Sequence, residues 1–354
     1  MGILKLNETP IRTSRNFNIN NIKLDNVEIP EKIGNFEGIK IIGESSKIKI
    51  ESNNYNHNLI YGLGDLLEKQ VKEKANQNLK ITIDNKCNEE IEIDFKFDKI
   101  SQNLIDNIEI VANEDCKATI ILKYESIESV ENYHNGIIKL FAEKGSDVKI
   151  IIVNLMNLNS NNFMSIENSL ETNARVKYTI VDFGGKNSIT NYYSNMIGEA
   201  SENTIHTIYL GTENQLFDLN YIGELRGSKS NIDIEVQGAL KDNAKKHFKG
   251  TIDFKKGCKK AKGNENESCM LISDTAKSLA LPMLLCSEED VEGNHSTSSG
   301  KIGEKELFYI MSRGFELKEA MKLMVRAKFN KILENIKNED LKNEIIQEMN
   351  KKLD

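Results

Sequence analysis

Most of the chain alternates between hydrophobic and polar residues with a period of two. From about residue 79 to residue 290, runs rich in β-branched residues, such as those at 80–84, 90–95 and 148–155, are separated by clusters of Asn, Asp, Gly, Ser and Lys. Successive side chains of a β-strand point to opposite faces, so a period of two is typical of strands. Because almost no helical pattern interrupts these runs, the sequence predicts a long all-β array.

Two architectures fit this array, namely stacked antiparallel sandwiches and a β-helical solenoid in which each coil adds short strands. Asn135-Gly136 is the one dipeptide of the kind that favours tight hairpins, which counts against a sheet built from hairpins. The spacing of the runs is too irregular for a strict hexapeptide or nonapeptide repeat. The pattern alone therefore leaves both architectures open.

Helical patterns occur on both sides of the array. Hydrophobic residues recur at spacings of three and four before it, which predicts a helix near 64–76. After the array, similar spacings predict helices over 304–312 and about 317–336, and a charged segment at 339–353 closes the chain. The predicted parts are an N-terminal α/β region at 1–78, a β core at 79–300 and a C-terminal helical region at 301–354.

Composition and charge narrow the functional classes. The chain has 354 residues, with 47 Lys and Arg against 54 Asp and Glu, so its net charge is −7. A general nucleic-acid-binding protein would carry a basic surface, so this class is disfavoured. No apolar run is long enough for a membrane span, and the first residues lack the pattern of a secretory signal. The sequence therefore predicts a cytoplasmic protein that binds neither nucleic acid nor membranes.

Common catalytic and metal-binding motifs are missing from the sequence. The five cysteines form no C-x-x-C pair, and their odd number favours reduced thiols over a disulfide framework. The five histidines form no H-E-x-x-H motif, and no G-x-S-x-G elbow is present. Gly300-Lys301 resembles the end of a phosphate-binding loop, but Ile302 replaces the magnesium-binding residue and His295 the first glycine. We therefore predict no nucleotide site in this chain.

A lysine-rich segment at 241–262 admits two interpretations. It holds nine lysines against Asp242 and Asp253. A solvated strand face is one interpretation, and a docking surface for an acidic partner is the other. Cys258 lies within the segment, and lysines that converge on its sulfur would lower the pKa of the thiol.

The segment at 282–300 joins the array to the helices and holds the most suggestive residues. An acidic cluster at 288–292 leads into His295, which Ser and Thr residues follow. A lone histidine of this kind is more often a surface residue than a ligand, although imidazole suits iron as well as zinc. Cys269 and Cys286 lie on neighbouring apolar runs, where buried structural thiols are the usual finding.

The C-terminal third holds four features that occur together: the segments 248–252 and 267–273, the thirteen-residue spacing from Pro282 to His295, and the run at 301–315. In these features it resembles the SufB/SufD family, the scaffold components of the SUF iron–sulfur cluster assembly machinery. Clear resemblance covers roughly 245–335. The motif Pro10-Ile11-Arg12-Thr13 is similar to the N-terminus of short SufD proteins, so the chain resembles a short SufD most.

This resemblance implies a right-handed β-helix core with flanking helical parts. It also implies a non-catalytic scaffold that pairs with a SufB subunit, binds the SufC ATPase through its C-terminal helices, and receives sulfur from a cysteine desulfurase or sulfur-transfer protein. A transient iron–sulfur cluster would be held at the interface with SufB. The residues implied to contact SufC are Leu307, Phe308, Met311, Arg313, Ala320, Leu323, Met324 and Ala327.

The cluster ligands of the family match this sequence only in part. His295 is the one clear match. Glu267 stands at the position of a cysteine that SufB proteins carry, and Cys269 follows on the same strand face. Gly293 and Asn294 replace a cysteine frequent in SufD proteins and a glutamate of SufB proteins. The predicted cofactor-binding residues are His295, Glu267 and Cys269, and the predicted metal ligands are His295, Cys269 and Cys286.

Two alternatives to a SufD-like partner of SufB remain. A homodimeric SufB-like scaffold would act with SufC alone. A β-helix enzyme acting on polysaccharides would line a groove with carboxylates and aromatic residues. The aromatic content of 6% and the absence of Trp count against this enzyme.

Overall fold

The computed structural model describes residues 3–12, 19–43, 45–52 and 58–354, so Thr13 of the N-terminal motif lies outside the described residues. The strands of the described chain are β1 (Leu4–Leu6), β2 (Ile22–Leu24), β3 (Ile39–Ile42), β4 (Ile48–Ser52), β5 (Gln77–Ile83), β6 (Lys86–Phe97), β7 (Asn103–Ala112), β8 (Lys117–Ser126), β9 (Tyr133–Ala142), β10 (Asp147–Leu155), β11 (Asn161–Leu170), β12 (Arg175–Asp182), β13 (Asn187–Met196), β14 (Glu202–Gly211), β15 (Leu216–Leu225), β16 (Asn231–Leu240), β17 (Lys245–Phe254), β18 (Ala261–Leu271), β19 (Lys277–Cys286) and β20 (Val291–Lys301). The helices are α1 (Asp65–Lys74), α2 (Glu304–Ser312), α3 (Leu317–Leu333) and α4 (Glu339–Leu353).

The strands from β5 onward wind into a β-solenoid. Each pairs in parallel with the strand two further along the chain, so even-numbered and odd-numbered strands form separate sheets. Sheet one runs from β3 through β6 and the later even-numbered strands to β20, and sheet two runs from β4 through β5 and the later odd-numbered strands to β19. The result is a β-helix of about eight coils. The predicted β-helix is therefore confirmed, and the alternative of stacked antiparallel sandwiches is wrong.

Residues of successive coils stack in register along each sheet. In sheet one, the ladder of paired residues Ile120, Ile150, Tyr178, Ile205 and Ile234 runs through five coils. All five side chains lie in the core between the two sheets and are fully buried. Successive members of the ladder are 30, 28, 27 and 29 positions apart. Because the coil length varies, the sequence shows no strict repeat.

Both sheets are also covered on their outer faces. Helices α3 and α4 pack on sheet one, where the rings of Phe329 and Phe183 stack with their centroids 6.2 Å apart. Helix α1 and the N-terminal segment cover sheet two, where Leu67 and Val71 pack against hydrophobic residues of the strands. Many central strands are therefore buried on both faces.

The hydrophobic runs of the sequence do not include β11, β13 and β15, three strands of sheet two. These strands carry polar side chains that are buried and hydrogen-bonded. Asn168 of β11 accepts a hydrogen bond from the hydroxyl group of Tyr178 at 2.7 Å, and Ser165 accepts one from the backbone of Leu63. Because hydrogen bonds replace apolar contacts here, the hydrophobic alternation that marks a strand is missing.

The helices agree with their predicted positions. Helix α1 falls within the predicted range 64–76, and α2 coincides with 304–312. Helix α3 ends at Leu333 instead of 336, and the charged segment at 339–353 forms α4. No helix among the described residues combines the length and the apolar character that crossing a membrane would require.

Asp182 belongs to a buried polar network in the solenoid. Its carboxylate accepts hydrogen bonds from Asn154 and Ser188, each at 2.8 Å. Burial raises the pKa of Asp182 to about 6, although both hydrogen bonds act in the opposite direction. The carboxyl group therefore keeps its proton to a higher pH in the folded protein than in the unfolded chain.

Asp182 should make the protein less stable as the pH rises from about 4 to about 6. In this window the folded state binds more protons than the unfolded state, so the free energy of unfolding falls, by at most about 1.4 kcal/mol per pH unit. Urea denaturation of the wild type and of Asp182→Asn at several pH values measures the effect. The stability of the wild type relative to the variant should decrease across the window, and a constant difference would contradict this prediction.

Candidate functional site

The solenoid ends in two strands whose outer edges are unpaired within the described chain. Strand β19 is the last of sheet two, and β20 is the last of sheet one. Residues 294–300 of β20 are exposed, because no further coil covers them. We call these two strands, together with the interior side chains directly beneath them, the open end. An unpaired strand edge presents backbone groups that can pair with another chain.

The register of β20 places His295 on the interior face of the open end. A Cβ atom added to Gly293 would lie 3.0 Å from side-chain atoms of Leu284 and Phe254, so this face of β20 looks into the solenoid. His295 lies two residues further along the strand and shares this face. Its paired residue on β18 is Glu265.

The three predicted cofactor-binding residues lie on the same face of adjacent strands. Glu267 and Cys269 follow Glu265 at alternate positions of β18, and all three are buried. On β20, His295 pairs with Glu265, Thr297 with Glu267, and Ser299 with Cys269. The fold therefore brings His295, Glu267 and Cys269 together at the open end, and their role as ligands stays a prediction.

A buried ion pair lies beneath the open end. Lys246 of β17 donates a hydrogen bond of 2.7 Å to the carboxylate of Glu267, and both side chains are fully buried. Tyr209 of β14 donates a further hydrogen bond to this carboxylate at 3.2 Å. Lys246 also donates to the backbone carbonyl of Leu279. The charge of Glu267 is thus compensated within the protein.

Cys269 lies next to this ion pair. Burial raises the pKa of its thiol, and the nearby ammonium group of Lys246 opposes this only in part. The thiolate is the form of cysteine that binds a metal. The shift favours the protonated thiol, which would have to lose its proton before it bound iron.

Glu265 is a member of the open end that sequence reasoning missed. Its side chain is fully buried, and neither carboxylate oxygen has a hydrogen-bond partner in the described part of the chain. The carboxyl group reaches Gly250 of β17 in the opposite sheet, where an added Cβ atom would lie 2.3 Å from the carboxyl carbon. Burial, reinforced by the charge of Glu267, raises the pKa of Glu265 to about 8. Along 262–268, apolar side chains are missing at odd-numbered and even-numbered positions alike, so the sequence does not show which residues face inward.

Cys286 lies apart from these residues. Cys286 is the last residue of β19. The beginning of this strand is the part near Cys269, because Ser278 hydrogen-bonds to Ser299, which pairs with Cys269. The exposed Cys286 thiol donates to the backbone carbonyl of Glu288 at 2.9 Å. Within the described ranges, no group of three or more His, Cys, Asp or Glu side chains could hold a metal ion.

The lysine-rich segment does not form one solvated face. Lys246 and Lys249 are fully buried, and Lys249 donates to Asp218 at 2.6 Å. Lys262 is exposed and forms an ion pair on the surface. Cys258 is also buried, and burial raises the pKa of its thiol. The interpretation as a solvated face is therefore wrong for the two buried lysines, and the lysines do not lower the pKa of Cys258.

Helix α2 has no buried residue, and with the segment that follows it presents an apolar surface. The exposed hydrophobic side chains of this surface, which we name the helical patch, are Phe308, Tyr309, Met311, Phe315, Leu317 and Leu323. A concentration of exposed apolar side chains is typical of an interaction surface.

The residues predicted to contact a partner differ in their exposure. Those that are exposed are Phe308, Met311, Arg313, Leu323 and Ala327. Leu307 and Met324 are half-buried. Ala320 is fully buried, so its side chain does not reach the surface. Sequence reasoning missed Tyr309, Phe315 and Leu317, although all three are hydrophobic residues close to the predicted ones.

The open end and the helical patch both fall within a region that matches a known family. The sequence profile of the SUF system FeS cluster assembly, SufBD core domain, matches residues 95–328. This region is more than half of the chain. The chain belongs to the SufBD family. The assignment confirms the resemblance found in the sequence, and it gives no support to the polysaccharide-active alternative.

Curated relatives in the SufBD family share part of their length with this chain. The iron–sulfur cluster assembly protein SufD of Bacillus subtilis is 23% identical over 184 residues, which cover 51% of this chain and 41% of the relative. A SufBD family protein of Pyrococcus horikoshii is 30% identical over 167 residues, which cover 46% of this chain and 36% of the relative. One of Mycobacterium leprae is 22% identical over 213 residues, which cover 60% and 24%. The matched segment thus spans less than half the length of each relative.

Proposed function

We propose that this SufBD protein is a non-catalytic scaffold subunit of SUF iron–sulfur cluster assembly in the cytoplasm. In this role it pairs with a SufB-type chain through the open end, supports cluster assembly there, and binds a SufC-type ATPase through the helical patch. The observation that carries the proposal is the open end, where two unpaired strand edges lie beside His295 and buried charged residues.

The open end supports pairing with a second solenoid. Strands β19 and β20 have unpaired edges, and Leu279 and Leu284 of β19 expose hydrophobic side chains. Proteins usually protect long strand edges, because the backbone groups on them pair readily with other strands. A SufB-type partner would cover these groups, and it would supply the cysteine that Glu267 replaces in this chain.

His295 is the residue proposed to contact the growing cluster. A neutral imidazole is a good ligand for iron, and His295 is exposed on β20. Since the described chain offers no set of three ligands, the remaining ligands would come from the partner. The cluster would then be cargo that is passed on, and its sulfur would come from a cysteine desulfurase or a sulfur-transfer protein.

The helical patch supports docking of the ATPase. Large exposed hydrophobic side chains such as Phe308 form the buried centres of protein interfaces. The ATP chemistry would belong to the partner. Gly300 and Lys301 lie within strand β20, and this extended backbone does not form the loop that wraps phosphate groups.

Phe308→Asp should abolish retention of a SufC-type ATPase and leave retention of a SufB-type chain unchanged. A carboxylate placed in an apolar interface loses its water without gaining a partner, which should weaken binding at least about thirtyfold. Anaerobic co-purification of the tagged chain with both partners measures the amount of each that is retained.

Ile100→Asp is the matched control for this experiment. Ile100 is 75% exposed, as Phe308 is 74% exposed, but it lies between β6 and β7. The control should retain both partners. If the wild-type chain retains neither partner, the proposed function is wrong. If it retains a differently tagged copy of itself in place of the SufB-type chain, the homodimeric scaffold is favoured.

A further inference from the structure

Glu265 occupies a position that is apolar in the preceding coils. It continues the interior ladder of sheet one, in which Ile205 and Ile234 come immediately before it. In the coil beside the open end, the residue of this ladder carries a carboxyl group where the preceding coils have a hydrophobic side chain. A carboxyl group at such a position needs a hydrogen-bond or ionic partner, because burial removes the water that would solvate it.

The neighbouring Glu267 has such a partner. Its carboxylate is held by the ammonium group of Lys246 and the hydroxyl group of Tyr209. Both oxygens of Glu265, in contrast, lack a hydrogen-bond partner among the described residues. The fold therefore gives Glu267 a counter-ion and gives Glu265 none, so burial raises the pKa of Glu265 and its carboxyl group holds its proton.

The surroundings of Glu265 keep space for its carboxyl group beside His295. Gly250 faces it from the opposite sheet, and a Cβ atom there would lie 2.4 Å from each carboxylate oxygen. His295 is paired with Glu265 on the adjacent strand and shares its face. Paired residues of neighbouring strands are about 5 Å apart, so one ion could bind both side chains.

We propose that Glu265 and His295 form a binding site for a divalent transition-metal ion such as Fe²⁺. The buried Glu265 carboxyl group releases its proton to solvent when the ion binds and becomes the inner ligand, and the exposed imidazole is the outer ligand. The ion supplies the counter-charge that the fold does not provide. Mixed oxygen and nitrogen ligands suit the first-row divalent ions. The inference rests on the proposed function, because the ion would be iron on its way to the cluster.

Anaerobic titration of the full chain with Co²⁺, followed by the absorbance of the bound ion, tests the site. Glu265→Gln and His295→Ala should each weaken Co²⁺ binding at least about tenfold. Gly250→Ala should also weaken it, because the new Cβ atom would displace the Glu265 carboxyl group while the carboxylate itself remains. Glu292→Gln is the matched control. Glu292 lies on β20, as His295 does, but it is exposed and forms an ion pair with Lys262.

Equal affinity of the wild type and Glu265→Gln for Co²⁺ would overturn the proposal, and so would a wild-type chain that binds no Co²⁺. Circular dichroism of each variant shows whether the solenoid is retained, and Gly250→Ala gives an independent readout that keeps the glutamate. Partner retention is measured on the same variants. A chain that binds Co²⁺ through Glu265 but retains no partner would preserve the metal site and refute the proposed function. Loss of Co²⁺ binding in Glu265→Gln with both partners retained would support both.

Discussion

Lys246→Met should lower the free energy of unfolding by about 3–5 kcal/mol. Lys246 and Glu267 form a fully buried ion pair beneath the open end. Without the ammonium group, the Glu267 carboxylate would remain in the interior with only the hydroxyl group of Tyr209 as a hydrogen-bond donor. An uncompensated buried charge is among the most destabilising results of a single substitution.

Urea denaturation, followed by circular dichroism and tyrosine fluorescence, measures the loss, because the chain has ten Tyr and no Trp. Lys262→Met is the matched control. Lys262 pairs with Glu292 at 3.0 Å on the surface, where an ion pair contributes about 0–1 kcal/mol. Adding Glu267→Gln to Lys246→Met should recover part of the stability, since no unpaired charge would then remain. A loss below about 1 kcal/mol for Lys246→Met would contradict the burial of the pair.

The Lys246–Glu267 ion pair also connects the two sheets at the open end. Lys246 lies on β17 of sheet two, and Glu267 lies on β18 of sheet one. Residues 265 and 295 sit beside this connection. The charged pair therefore links the strand that carries Glu265 to the opposite sheet.

Much of the fold could be predicted from local patterns. The helices depend on hydrophobic spacing near the chain ends, and α2 lies at the predicted residues 304–312. The period of two correctly indicated strands, but it is the same in parallel and antiparallel sheets, so it could not distinguish a solenoid from a sandwich. Strands such as β11 escaped prediction because their partners are buried polar groups, as Asn168 and Tyr178 show.

The candidate site was less accessible from the sequence. His295 was found through the family resemblance. Glu265 and Lys246 lie in segments where polar and charged residues occupy most positions, so periodicity could not show that both face inward. Only the pairing of Ile234 with Glu265, and of Glu265 with His295, reveals that these residues continue an interior ladder. Such pairing depends on the length of each coil, which varies along the chain.

Phe329→Ala should also destabilise the protein strongly, by about 3–5 kcal/mol. Phe329 of α3 is fully buried against sheet one and stacks on Phe183. Truncation to alanine removes these contacts and leaves a cavity between the helix and the sheet. Urea denaturation measures the loss, and a change below about 1 kcal/mol would contradict the packing of α3 on the sheet.

Phe308→Ala is the matched control, because it changes the same residue type in the neighbouring helix. Phe308 is largely exposed, so its loss should change stability by no more than about 0.5 kcal/mol.

Because Phe329 is buried against the sheet and Phe308 is exposed, partner binding should be tested by substitution of Phe308 and not by truncation. A chain that ended at Gly303 would lack α3 and α4 and would uncover Phe183 and the hydrophobic residues around it. Loss of a partner from that truncated chain would then follow from a damaged fold, whereas substitution of Phe308 changes the helical patch and leaves the covered sheet intact.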